Sequence, residues 1–202
     1  MVSIEQDGQD TGVRFGRTTI VAVVGDLLAQ PVEAIVYPAN QRGVMGAMPG
    51  PGFAGLRFLG GSEIEREAMA KAPLDIGTAL VTRATGLDER GINAVIHAVI
   101  HRSLGEAPRP EDVRRAIGAA IIEIDKHRFR SVAFPLLGVE GASVRDQPGP
   151  LITAIVDEIV GCLRRMPVRL DTIVLACRFP DHADLTRAAL ANARERQWTP
   201  LR

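Results

Sequence analysis

Aromatic side chains supply only 4% of this 202-residue chain, and cysteine occurs just twice. With so few rings, the core must rest on Ile, Val, Leu and Ala. Two cysteines make no disulfide framework and no leader-like stretch stands out, so a cytoplasmic protein is expected. No apolar run approaches the roughly 20 residues of a membrane span, so no membrane partner is expected. Charge of one sign is also missing: 24 Lys and Arg balance 24 Asp and Glu, for a formal net charge of zero. A general nucleic-acid binder carries a basic excess to neutralise phosphates, so the balance argues against that class and no general nucleic-acid binding is expected. One small anion remains possible, because backbone N–H groups alone can hold it. P-loop, G-x-S-x-G and H-E-x-x-H motifs are absent, and neither a cofactor nor a metal is expected.

What is present is an alternation of strands and helices. Residues 18–24 (TTIVAVV) and 32–37 (VEAIVY) are β-branched and read as strands, as do 79–82 and 93–100 (NAVIHAVI). Residues 131–137 (SVAFPLL) and 172–177 (TIVLAC) are apolar on both faces, which fits buried central strands. Helices are expected over 62–72, 110–127, 151–165 and 182–194, from apolar residues at helical spacing. Ser62 and Glu65 form an S-x-x-E pattern, read as a capping box opening the first of these. The order predicts an α/β layered fold around a mixed or parallel sheet. Residues 1–16 are expected to form a flexible N-terminal extension, and 17–202 a single domain.

Two glycine-bearing loops, 43–61 and 138–149, follow apolar strands. In open α/β sheets ligands bind at the carboxyl ends of strands, and glycine lets amides wrap an anion there. These loops are either a pair of phosphate clamps or ordinary connectors. Gly50-Pro51-Gly52-Phe53-Ala54-Gly55 is a literal G-x-G-x-x-G. It starts about a dozen residues beyond its strand rather than in a tight strand-to-helix turn, which argues against a nicotinamide-binding Rossmann fold. His97 and His101 fall on one face of a strand, roughly 13 Å apart at about 3.3 Å per residue, too far to share a metal. Both are read as structural, and Cys162 and Cys177 as small core residues.

Gly25-Asp26-Leu27, followed by Val32-Glu33-Ala34-Ile35-Val36-Tyr37-Pro38-Ala39-Asn40, resembles the opening of the macro domain family, G-D-I-T then V-D-A-I-V-N-A-A-N. Gly52 to Arg57 and Gly60 to Ile64 look like its first glycine loop and following helix. Ala94 to Val99 resembles its V-I-H-T-V strand, and Ser131 to Gly138 its S-I-A-F-P-A-I-G. The ordered set runs from about Thr18 to Leu190. The resemblance implies a three-layer α/β/α sandwich with a mixed, largely parallel central sheet. It also implies ADP-ribose, or an ADP-ribosylated macromolecule, as partner.

By the same resemblance, Asp26 accepts from the adenine amino group, and Leu27 adds a backbone N–H or an apolar wall. Asn40 stands near the distal ribose and the catalytic region. Gly52, Phe53, Ala54 and Gly55 form the first phosphate-facing loop, and Gly138, Val139, Glu140, Gly141 and Ala142 the second. Phe179 stands where an aromatic often meets adenine. The departures are a longer first loop, Ala54 in place of a water-activating Asp, and Glu140 in place of a glycine beside the diphosphate. Asn40 and Glu140 are the expected catalytic residues, with Glu140 a substitute base if it turns inward. The implied function is an ADP-ribose-binding module or weak ADP-ribosyl hydrolase. The alternative is a divergent module for another nucleotide or phosphorylated metabolite, or an interaction scaffold.

Overall fold

The computed structural model describes residues 12–45, 53–103, 106–139, 144 and 146–198. Among these residues seven strands form one sheet: β1 (Val13–Phe15), β2 (Thr18–Val24), β3 (Ala34–Asn40), β4 (Ala79–Arg83), β5 (Ala94–His101), β6 (Ser131–Pro135) and β7 (Thr172–Cys177). Their spatial order is β1-β2-β7-β6-β3-β5-β4. The inner five run parallel, and antiparallel β1 and β4 close the two edges. Helices α1 (Phe53–Gly60), α2 (Ser62–Met69), α3 (Pro110–Lys126), α4 (Gly149–Arg165) and α5 (Pro180–Trp198) cover both faces.

Strand alternation divides the core in two. Ala34, Val36, Ile96, Ala98, Val132 and Phe134 face the cluster formed with α3, α4 and α5. Ile35, Tyr37, Val95, Val99 and Ala133 face the other way, onto Leu28, Leu56 and Ile64. The result is the expected three-layer sandwich.

Three local expectations change. Val13–Phe15, left in the N-terminal extension by the sequence reading, pairs with β2 through a turn at Gly16 and Arg17. Helix α2 has no capping box: Gly61 occupies the N-cap with no side-chain cap bond, and Glu65 turns inward to the loop after β3. Strand β3 continues through Pro38 to Asn40. A proline cannot donate to a ladder. It is tolerated here because the ladder from β3 to β6 ends at Ala34–Val132 and Ile35–Ala133.

Candidate functional site at the carboxyl edge of the sheet

That short ladder shapes the site. Past Ile35, β3 keeps its partner β5 as far as Asn40–His101, while β6 stays with β7 to Pro135–Ala176. The sheet therefore forks between β3 and β6 toward its carboxyl edge, the place where parallel sheets receive ligands. Along this edge stand Asp26 after β2, Phe179 after β7, Gly138 after β6, Asn40 ending β3 and His101 ending β5. Sequence reasoning singled out the first four of these as ligand groups from distant parts of the chain, and the parallel strands bring them into one row.

Asp26 is exposed and caps the 3-10 turn Leu27–Ala29, its Oδ1 accepting from Leu28 N at 3.0 Å. Its local role as a turn cap is thus realised, and the second carboxylate oxygen accepts no hydrogen bond among the described residues. Leu27 is buried at 4% exposure and packs in the core, which puts its side chain in the wall below Asp26. Gly55, in the first turns of α1, lies against Leu28 and ties that helix to the same turn.

Asn40 is 3% exposed and organises the loop that follows it. Its Oδ1 accepts from Arg42 N at 3.0 Å and its Nδ2 donates to Val44 O at 2.7 Å. One amide hydrogen and one oxygen lone pair remain for another partner. Gly43, at φ +67, lets the loop pass under the end of α2, where a Cβ would meet the Ala68 carbonyl carbon at 2.7 Å.

The loop is then held by Glu65. Its carboxylate accepts from Met45 N at 2.7 Å and pairs with Arg57 at 3.3 Å, while Arg57 also donates to Met45 O at 3.3 Å. Burial, reinforced by Glu65, pushes the nearby Tyr37 hydroxyl up to about 12, against the opposing pull of Arg57. Sequence reasoning missed this brace. The available signal was an acid beside Ile64 in a helix that packs on the sheet, and the S-x-x-E pattern gave it a different meaning.

On the other side of the fork, Gly138 takes φ +78, and a Cβ there would strike Pro108 Cγ at 2.7 Å. Val139 is less accessible to a ligand than the sequence reading assumed. Its side chain is fully buried in the core and its N–H donates to Leu136 O at 3.1 Å. Phe179 remains 45% exposed at the edge, with Arg178 above its ring at 5.4 Å and His182 edge-on at 5.3 Å. That leaves it available as a stacking surface rather than a core plug. Gly52, Glu140, Gly141 and Ala142, and the side chains of Phe53 and Ala54, lie outside the described residues.

The two histidines of β5 differ. His97 is fully buried, its Nε2 3.0 Å from Thr82 Oγ1 and Tyr37 edge-on at 5.7 Å. Its Nδ1 has no partner among the described residues, and burial, helped by Lys71, lowers its pKa to about 4. His101 is half-buried at the edge, with Nδ1 2.7 Å from Glu106 O. Burial lowers its pKa as well, opposed by Glu106. Among the described residues no group of three or more His, Cys, Asp and Glu could hold a metal, and no helix is long and apolar enough to cross a membrane. A cavity of about 360 Å³ between Arg17 and Arg169 lies at the amino ends of β2 and β7, away from this row.

Comparison with known proteins agrees with this fold. The macro domain family matches residues 36–146. An uncharacterized protein of Aquifex aeolicus is 40% identical over 119 residues, covering 59% of this chain and 68% of its own. An ADP-ribose glycohydrolase of Archaeoglobus fulgidus is 30% identical over 142 residues, covering 65% of this chain and 74% of its own. Among solved structures, the Oceanobacillus iheyensis macrodomain with ADP superposes with TM-score 0.74 at 17% identity, covering 92% of this chain and 97% of that one. The Trypanosoma brucei macrodomain in complex with ADP-ribose gives TM-score 0.69 at 21% identity, covering 85% and 68%. The fold and these matches agree: the chain belongs to the macro domain family.

Proposed function

We propose that this protein binds ADP-ribose, free or attached to a macromolecule, along the carboxyl edge of its sheet. The observation that carries the reading is the row itself. Asp26, Phe179 and Gly138 follow the ends of β2, β7 and β6, and Asn40 is the last residue of β3, on four adjacent strands. At a strand spacing of about 4.8 Å the row extends about 14 Å, room for an elongated nucleotide diphosphate. An acceptor stands at one end for the adenine amino group and a phenyl ring beside it for the base. Glycine-bearing backbone lies in the middle for the diphosphate, and an amide at the far end serves the second sugar. The relative from Archaeoglobus fulgidus, named an ADP-ribose glycohydrolase, supports the same ligand and extends the reading to release of ADP-ribose from an adduct.

Calorimetry with ADP-ribose tests the reading. Micromolar binding is expected, with a loss of at least tenfold in Asp26→Asn, which keeps a cap acceptor for Leu28 N but presents a donor to the adenine amino group. Asp26→Ala is the stronger lesion, because it also removes the cap. No heat at millimolar ADP-ribose with the unmodified protein refutes the assignment and favours the scaffold reading.

A further inference from the structure

We propose that His101 is the general base of an ester-cleaving ADP-ribosyl hydrolase, a role that rests on the ADP-ribose reading above. Three observations place it there. First, the register slips by one residue between Ala39 and Asn40, so that Asn40 stands opposite His101. The slip carries the imidazole-bearing residue level with the residue expected at the distal ribose, at the open end of the sheet.

Second, the tautomer is fixed. The carbonyl oxygen of Glu106 can only accept, so the ring nitrogen 2.7 Å from it, Nδ1, carries the hydrogen. Nε2 is left with its lone pair, and it makes no hydrogen bond to any described residue. An imidazole oriented through one nitrogen, with an uncommitted lone pair on the other, is the arrangement a proton acceptor needs.

Third, the surroundings favour the neutral ring. Burial lowers its pKa, while the charge facing it, the Glu106 carboxylate, is itself tied to Arg102 at 3.3 Å and Ser103 at 3.4 Å. His97, four residues earlier, cannot substitute, being fully buried with Nε2 already on Thr82. Ala54 has no proton acceptor. In this proposal His101 takes the part of the base for which Glu140, outside the described residues, was the candidate read from the sequence.

In the step itself, Nε2 removes a proton from water as the water oxygen bonds to C1″ of the distal ribose. The bond from C1″ to the carboxylate oxygen of the modified side chain breaks, and its electron pair leaves on that oxygen. A departing carboxylate needs no proton, so one base suffices and the substrate class is an ADP-ribosyl ester of an acidic side chain. The imidazolium returns its proton to solvent, leaving free ADP-ribose and a restored carboxylate.

The test uses the full chain, a protein mono-ADP-ribosylated on glutamate, and calorimetry with ADP-ribose. His101→Gln is expected to bind ADP-ribose within about threefold of the unmodified protein and to release it at least about 100-fold more slowly. The unmodified protein should show a rate that falls in acid with a midpoint below 6.5, and this limb should vanish in the variant's residual rate. Binding without release by the unmodified protein overturns the proposal, as does a variant that turns over within a few-fold of it. Should the variant melt early, the pH profile of the unmodified protein still decides, because a rate without an acid limb overturns the assignment. Absence of any ADP-ribose heat is a different failure, which removes the ligand as well as the base.

Discussion

His97 and His101 share one strand, and in a regular strand they would share one face, yet they live in different solvents. His97 is enclosed between the sheet and α2, where among the described residues Thr82 is its one hydrogen-bond partner and Nδ1 has none. His101 stands where β5 ends, with one nitrogen oriented by a backbone carbonyl and the other without a hydrogen bond among the described residues. The same side chain is a packed, acid-sensitive part of the core in the first place and the proposed base in the second. What separates them is about 13 Å of strand, from the interior of the sandwich to its carboxyl edge. Position along a parallel strand, rather than residue type, decides which chemistry is available.

The comparison is broken most severely by removing the inner ring. His97→Ala is expected to cost about 3 kcal/mol, because it opens a cavity beside Tyr37 and strips Thr82 of its partner. Urea denaturation at pH 8 measures it, and a loss below about 1 kcal/mol would show that the ring is not well packed.

Acid acts on the same residue. His97 titrates near 4 when folded, against 6.5 when free, so the unfolded chain takes up the proton first. Its contribution to stability is complete above about pH 6.5 and is lost as the pH falls toward 4, on the order of 3 kcal/mol in total. His97→Leu should flatten that slope between pH 7 and pH 4.5. An unchanged slope would assign the acid sensitivity to other groups.

Next in size is the brace on the loop after Asn40. Glu65→Ala leaves Met45 N and Arg57 without their acceptor, for an expected cost of about 2 kcal/mol and weaker ADP-ribose binding. Glu65→Gln should recover part of both, since its carbonyl oxygen still accepts from Met45 N. Equal losses in the two variants would show that the charge, not the hydrogen bond, holds the loop. The smallest stability effect belongs to His101→Gln, below about 1 kcal/mol by the same denaturation. A larger loss would make His101 a structural residue like His97.

Much of this was legible in the chain. The β-branched runs Thr18–Val24 and Thr172–Cys177 become strands over those same residues, because their apolar character survives in any register of a buried parallel sheet. Strand β3 was expected to stop at Tyr37, since Pro38 reads as a terminator, and only the parting of β3 from β6 explains why it does not. Strand β1 has three residues, too few for alternation to register. At the site, Asp26, Asn40, Gly138 and Phe179 were reached through the ordered resemblance. Glu65 and His101 were assigned local roles, a cap and a structural ring. Their present roles depend on a loop crossing under α2 and on a one-residue slip between neighbouring strands, neither of which leaves a periodic trace.

The most direct measurement is a crystal structure of the protein with ADP-ribose. The expected complex has the adenine amino group on Asp26, the diphosphate across the fork between β3 and β6, and the distal ribose beside Asn40 and His101. Adenine away from Asp26, or the nucleotide seated in the cavity by Arg17 and Arg169 with the carboxyl edge empty, would contradict it.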